Sequence, residues 1–236
     1  MFDLDYSWLA DPTYQSWLFK GIWTTVQLAF VSSLFALLIG IVGAFVLTLR
    51  IGWINAILGF LIEVFRNTPP LLQMLFFYFT LSSIGLYVTD PTSGVRVPLL
   101  DAFACAAVWL SLFGGALCIE AFRSGLDAVP KTTVEAARSL GYGRMALMTG
   151  IQLPIAFRIC LAPLTNIMIN QFKTTSQASI IAVPELMYAA GQIYSDTFRT
   201  MEVMLLVLLI YVSSVSVLTF LLRRLELRLA YPGYGA

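Results

Sequence analysis

The chain has 236 residues, 59% of them apolar and only 11% charged, with a formal net charge of +1 and no histidine. Ordinary soluble domains carry roughly 25% charged residues, so this composition, with its mean hydropathy of +0.84, is that of an integral membrane protein. The missing histidine excludes His-based metal centres and Ser–His or Cys–His nucleophilic pairs, and the near-neutral charge argues for no nucleic acid or other particular soluble partner.

Residues 1–11 are acidic and lack the positive start of a secretory signal, and the apolar run behind them is too long for a signal core. It reads as an uncleaved first span over about 20–49, with no charge between 21 and 49. About 20 such residues cross the roughly 30 Å hydrocarbon layer as a helix. Tyr6, Trp8, Tyr14, Trp17 and Trp23 gather at its entry as an aromatic belt, with a short interfacial helix interrupted by Pro12. Hydropathy predicts a second span over about 53–87, broken near Pro69-Pro70, and a third over 98–122. A fourth follows over 151–172 and a fifth over 201–222, while 178–193 reads as a re-entrant or outer helix. Gly40, Gly43, Gly114 and Gly115 suit close helix approach. Cys105, Cys118 and Cys160 all lie in apolar runs, where free cysteine acts as a small hydrophobe.

The expected fold is therefore an all-α polytopic membrane protein with about five transmembrane helices, a single domain over 1–236. Arg50, Arg123, Lys131, Arg138, Arg144, Arg223, Arg224 and Arg228 collect on one side, against Lys20, Arg96 and Arg199 on the other. The positive-inside rule then puts the N-terminus outside and the tail, 223–236, in the cytoplasm. Residues 123–150 become a cytoplasmic loop.

That loop is basic, rich in small residues and suited to helix. Glu135, Ala136 and Ala137 are good helix formers, and Gly141 and Gly143 break the run. A helix with Glu135, Ala136 and Ala137 beside Leu140 and Gly141 is narrow on one face, as helix-in-groove recognition requires. Within the membrane, polar side chains usually face a bundle interior or a water-filled cavity. Two clusters qualify as a solute path: Arg66, Asn67 and Thr68 before the double proline, and Asn166, Asn170, Lys173, Thr174, Thr175 and Ser176. Asn166, Asn170 and Lys173 share a helix face by their spacing. Against this stands a structural role, with Arg66 or Lys173 snorkelling to an interface or paired with Glu63 or Glu120.

The pattern E-A-A-x-x-x-G at 135–141 followed by I-x-L-P at 151–154 resembles the coupling loop in membrane subunits of binding-protein-dependent ABC importers. FRNTPPLLQ at 65–73 is similar to the FRGTPLLVQ stretch of the polar amino-acid branch, which takes histidine, glutamate, glutamine, arginine and opines. The likeness runs from about residue 21 to the last span. It implies a type I importer membrane subunit in the bacterial inner membrane, paired with a second permease subunit (itself or a paralogue). It also implies two ATP-binding subunits that receive the loop, and an extracytoplasmic solute-binding protein docking near 87–98 and 185–199. No cofactor is expected on this chain, which has no G-x-x-x-x-G-K-[ST] cradle; ATP and Mg would act through the partner ATPase. Many relatives have K-D-[ST]-S-L where this chain has Lys173-Thr174-Thr175-Ser176-Gln177. Losing that acid weakens the case for a cationic solute, since a buried cation needs a paired anion. An acidic or amide amino acid is the expected substrate, with neutral or basic amino acids, or a partner subunit that holds no solute, as alternatives. A lipid-modifying enzyme would need converging acids, but Glu63, Asp101 and Glu120 are scattered; a channel leaves the loop pattern unexplained.

Overall fold

A computed structural model describes residues 4–49, 51–84, 87–89, 96–98 and 100–229. A 3-10 turn, Ser7–Ala10, buries Trp8, and Asp11 then caps the first long helix by accepting from the Thr13 N–H. Helix α1, Pro12–Thr48, starts eight residues before the expected span. Pro12 opens this helix rather than interrupting one, because its missing N–H falls where helices leave N–H groups free.

The second span is two helices, α2 (Gly52–Asn67) and α3 (Pro70–Ser83). Thr68 and Pro69 between them are extended, as a residue before proline prefers to be. The break leaves carbonyls without helical donors, and Gln73 covers them. Its Nε2 lies 3.0 Å from the carbonyls of Phe65 and Thr68 and 2.6 Å from the Thr68 hydroxyl. A small antiparallel hairpin, β1 (Tyr87–Thr89) with β2 (Arg96–Pro98), follows. Of the outer loop expected at 87–98, residues 90–95 lie outside the described ones.

Helix α4, Ala102–Asp127, is capped by Asp101 and is the central post of the bundle. Glycines bring α1 against it. A Cβ on Gly40 or Gly43 would run into Cys118 or Ile119, and one on Gly115 would stand 2.6 Å from Ile39. Hydrocarbon gives helices little hydrophobic reason to associate, so close packing of small residues supplies the contact. Gly114 leaves room for Gln171, which is buried and donates to the Leu110 carbonyl at 3.2 Å. Trp109 and Phe113 stack in a core with Leu28, Met74 and Ile181.

The chain then forms α5 (Lys131–Ser139), α6 (Arg144–Leu147), a π turn (Met148–Gln152), α7 (Leu153–Ile159) and α8 (Leu161–Thr174). A 3-10 segment (Thr175–Ile181), α9 (Leu186–Thr197) and α10 (Thr200–Leu229) complete it. Residues 123–127 of the expected loop belong to α4, so the loop proper begins after it. The fourth span also differs from expectation. It begins at Arg144, and the segments Arg144–Ile159 and Leu161–Ile181 meet at a 58° bend. Pro163 has no N–H for the Ile159 carbonyl and its ring crowds that group, which breaks the helix at Cys160. The π turn lies just ahead of Pro154, which also lacks an N–H for the ladder. Helix α10 runs to Leu229, so the first part of the expected tail is helical; residues 230–236 lie outside the described ones.

Among the described residues α1, α4 and α10 are each long and apolar enough to cross a membrane, and the bent pair makes a fourth candidate. α2 and α3, with 16 and 14 residues, are each shorter than a crossing requires and are not among these candidates.

Candidate functional site

Pro130 precedes α5, and Gly141 ends it with φ +83°. The Gly141 N–H meets the Arg138 carbonyl at 2.9 Å and the Tyr142 N–H meets that of Ala137 at 3.2 Å. This is the paired closure in which a helix ends on a left-handed glycine. Glu135 and Ala136 face solvent, whereas Ala137 is turned inward and buried. Past the helix, Leu140 is 79% exposed and stands beside exposed Tyr142 and Met145. The loop thus presents an acid, a small residue and an apolar knob that nothing among the described residues covers.

Helix α8 has two unlike faces. Leu164, Thr165, Gln171 and Phe172 are buried, while Asn166, Asn170 and Lys173 are exposed and Thr174 is partly so. The Thr174 hydroxyl donates to the Asn170 carbonyl at 2.8 Å. Ser176 extends the same polar end, its hydroxyl 2.9 Å from the Lys173 carbonyl. Thr175 stands apart: it is fully buried and donates to the Phe172 carbonyl at 2.7 Å. Amide and ammonium groups facing lipid are costly, so this stripe belongs against water or another polar surface.

Arg66 reaches Glu120 on α4 at 2.6 Å and Glu63 at 3.9 Å. Asn67 donates to Glu63, and the Thr68 hydroxyl donates to the Val64 carbonyl at 2.7 Å. The two expected clusters do not bond to one another among the described residues. Arg66 leans on α4 at Glu120, while α8 leans on it through Gln171, outside the cluster, at Leu110; the two points lie about 15 Å apart along the helix at 1.5 Å per residue. Gly125 packs near Cys160 at the start of α8, so the Arg66 group sits nearer the Asn166 end of the stripe than the Thr174 end.

Residues 36–231 match the family model described as "Binding-protein-dependent transport system inner membrane component". The chain belongs to this family. It is 34% identical to the octopine transport system permease protein OccM of Rhizobium radiobacter, over 82% of this chain and 79% of the relative. It is 32% identical to the glutamine transport system permease protein GlnP of Escherichia coli (strain K12), over 97% and 98%. Among solved structures, an amino acid ABC transporter crystallised with histidines matches with a TM-score of 0.81 and 28% identity, over 95% and 99% of the two chains. The fold is that of a type I ABC importer membrane subunit. A chain of this family is an inner-membrane transport component rather than an enzyme, and ATP hydrolysis falls to a separate subunit.

For such a permease two further features escaped the sequence reading. Glu185 is fully buried. Its Oε1 accepts from the Tyr188 N–H at 2.8 Å, capping α9, and its Oε2 accepts from the Tyr211 hydroxyl of α10 at 3.0 Å. Thr25 of α1 adds its hydroxyl, 3.4 Å from Oε2, and accepts from the Leu186 N–H at 3.1 Å. One carboxylate therefore ties three helices. The available signal was its isolation: Glu185 is the single acid between Glu135 and Asp196. Phe198 is the second feature. It adopts φ +57° between α9 and α10 and is 89% exposed. Its neighbours are held: Asp196 accepts from the Tyr14 hydroxyl at 2.7 Å, and Arg199 pairs with Asp5.

Proposed function

We propose that this chain is the membrane subunit of an ATP-driven, binding-protein-dependent importer of polar amino acids, with an acidic or amide solute as its preferred cargo. The observation that carries the reading is the exposed face of α8. Asn166, Asn170, Lys173 and Thr174 form a polar stripe with a cation, amides and a hydroxyl but no acid. Such a lining suits carboxylate and amide groups and leaves a guanidinium or ammonium solute without a counter-charge. The likeness to glutamine and octopine permeases supports an amino-acid solute, and near-complete mutual coverage with the glutamine permease supports the same subunit plan.

In this reading the stripe faces a second permease subunit, itself or a paralogue, across a shared path, with Arg66, Asn67 and Thr68 lower on the route. The N-terminus is outside and the α5 loop cytoplasmic. Each of two ATPase subunits receives one such loop, with Glu135, Ala136, Leu140 and Gly141 at the contact and Ala137 supporting it from behind. ATP binding draws the loops together and opens the path outward, where a loaded solute-binding protein delivers its cargo. Hydrolysis returns the path to the cytoplasmic side.

Proteoliposomes carrying the whole transporter test the cargo directly. Glutamate or glutamine should be taken up in preference to arginine and lysine; the reverse order would refute the substrate assignment.

A further inference from the structure

A cavity of about 910 Å³ lies at the loop side of the bundle, between the facing ends of α1 and α2, the end of α4, and the chain from α5 to the π turn. Its wall carries two chemistries. Ala44, Leu47, Ile62 and Leu126 make one part apolar, while Arg123, Arg138 and Arg144 stand with Asp127 as the sole lining acid. Three cations against one anion leave a formal excess of +2.

These arginines are not used up by the chain. Arg144 donates to the Thr48 carbonyl at 2.7 Å, a bond that fixes the guanidinium and leaves its charge unmatched. Among the described residues neither Arg138 nor Arg144 forms an ion pair. Arg123 has, among the described residues, only Glu120 as an ion-pair partner, at 3.9 Å, and that carboxylate is already held by Arg66 at 2.6 Å. Guanidinium forks match phosphate oxygens in geometry as well as charge. Basic pockets at the cytoplasmic ends of membrane helices take acidic lipid headgroups. An apolar wall beside the cations fits the glycerol and first acyl carbons of the same molecule.

We infer that this cavity seats the headgroup of an anionic phospholipid of the inner leaflet, bridging the end of α1 to the α5–α6 loop. The inference rests on the orientation proposed above, with the loop cytoplasmic. Its test reads bound lipid rather than uptake or topology, so failure of the inference is distinguishable from failure of that reading.

The intact transporter, with its ATPase subunits, would be exchanged into nanodiscs holding equal phosphatidylglycerol and phosphatidylcholine. It would then be released into mild detergent, and retained lipid counted by native mass spectrometry. Phosphatidylglycerol should be kept about tenfold over phosphatidylcholine, and Arg123→Gln with Arg144→Gln should abolish that preference. Asp127→Asn supplies an arm that survives a folding failure of the double variant: with the lining acid gone, phosphatidylglycerol retention should rise. No preference in the unmodified transporter, or the same ratio in all variants, would overturn the proposal. Displacement of the lipid by millimolar inorganic phosphate would reassign the arginines to a soluble anion, and loss of the ATPase subunit in place of lipid would reassign them to that partner; either also overturns it.

Discussion

Two polar groups of this chain, one at the head of α9 and one along α8, are built in opposite ways. Glu185 is wholly enclosed and bonded within the chain, to the Tyr188 N–H, the Tyr211 hydroxyl and Thr25. The stripe of Asn166, Asn170, Lys173 and Thr174 is turned outward, and among the described residues its one internal side-chain bond runs from Thr174 to the Asn170 carbonyl. Burying a polar group costs free energy unless it is hydrogen-bonded. The first set meets that condition alone and fixes α1, α9 and α10 relative to one another. The second meets it only with water, a solute or another subunit. Polarity inside a membrane protein therefore divides into groups that hold the shape and groups that await a partner.

Changing Glu185 should separate the two kinds most sharply. Glu185→Leu leaves the Tyr211 hydroxyl and the Tyr188 N–H without acceptors, at about 1–3 kcal/mol each. A large drop in melting temperature in detergent is expected, while Glu185→Gln keeps an acceptor and most of the stability. Equal stability of the two variants would place Glu185 outside the shape-holding class. Glu135→Arg, on the exposed face of α5, should do the reverse. The protein should melt as before, within about 0.5 kcal/mol, while uptake falls and ATP hydrolysis by the assembled transporter loses its link to solute. Thr174→Asp should also leave melting unchanged and move preference toward cationic solutes, read as competition of arginine against glutamine in proteoliposomes. An unchanged profile would remove Thr174 from the path. The smallest effect belongs to Phe198. A left-handed conformation costs a non-glycine residue roughly 1–2 kcal/mol, and this ring is 89% exposed. Phe198→Gly should therefore leave stability equal or raise it by up to about 1 kcal/mol; a comparable loss would reveal packing around the ring.

Much of the fold was legible in the residues. Long apolar runs marked α1, α4 and α10, and the double proline marked the α2–α3 break, since a proline has no N–H to continue a helix. The Asp11-Pro12 pair carried a start signal too, a capping acid followed by a proline suited to the first turn, but Pro12 also suits a helix interruption, and the span expected from residue 20 begins eight residues after the true start. The bend at Cys160 had its signal too, in Pro163, but it was hidden inside a continuous apolar stretch. What lay out of reach was tertiary. Glu185 meets Thr25 across 160 positions of sequence, and no local pattern announces that pairing. At the candidate site, spacing placed Asn166, Asn170 and Lys173 on one face, but it did not separate Thr175, whose hydroxyl turns back to Phe172 where the helix tightens to 3-10 geometry. Likewise the run Glu135-Ala136-Ala137 marked a helix without showing that Ala137 turns inward. Gln73 and Gln171 satisfy backbone carbonyls at a break and across a helix contact, roles that only the packed bundle defines.

The most direct test uses the three native cysteines as a quiet background, since all are buried. Asn170→Cys would be treated, in the assembled transporter in proteoliposomes, with a charged thiol reagent that does not enter lipid. Leu208→Cys on exposed α10 would be the lipid-facing control. The account predicts that position 170 reacts, that the accessible side changes with bound nucleotide, and that transported solute slows the reaction, while position 208 stays unlabelled. Silence at position 170 in every nucleotide state would contradict the claim that the outward polar face of α8 lines the path.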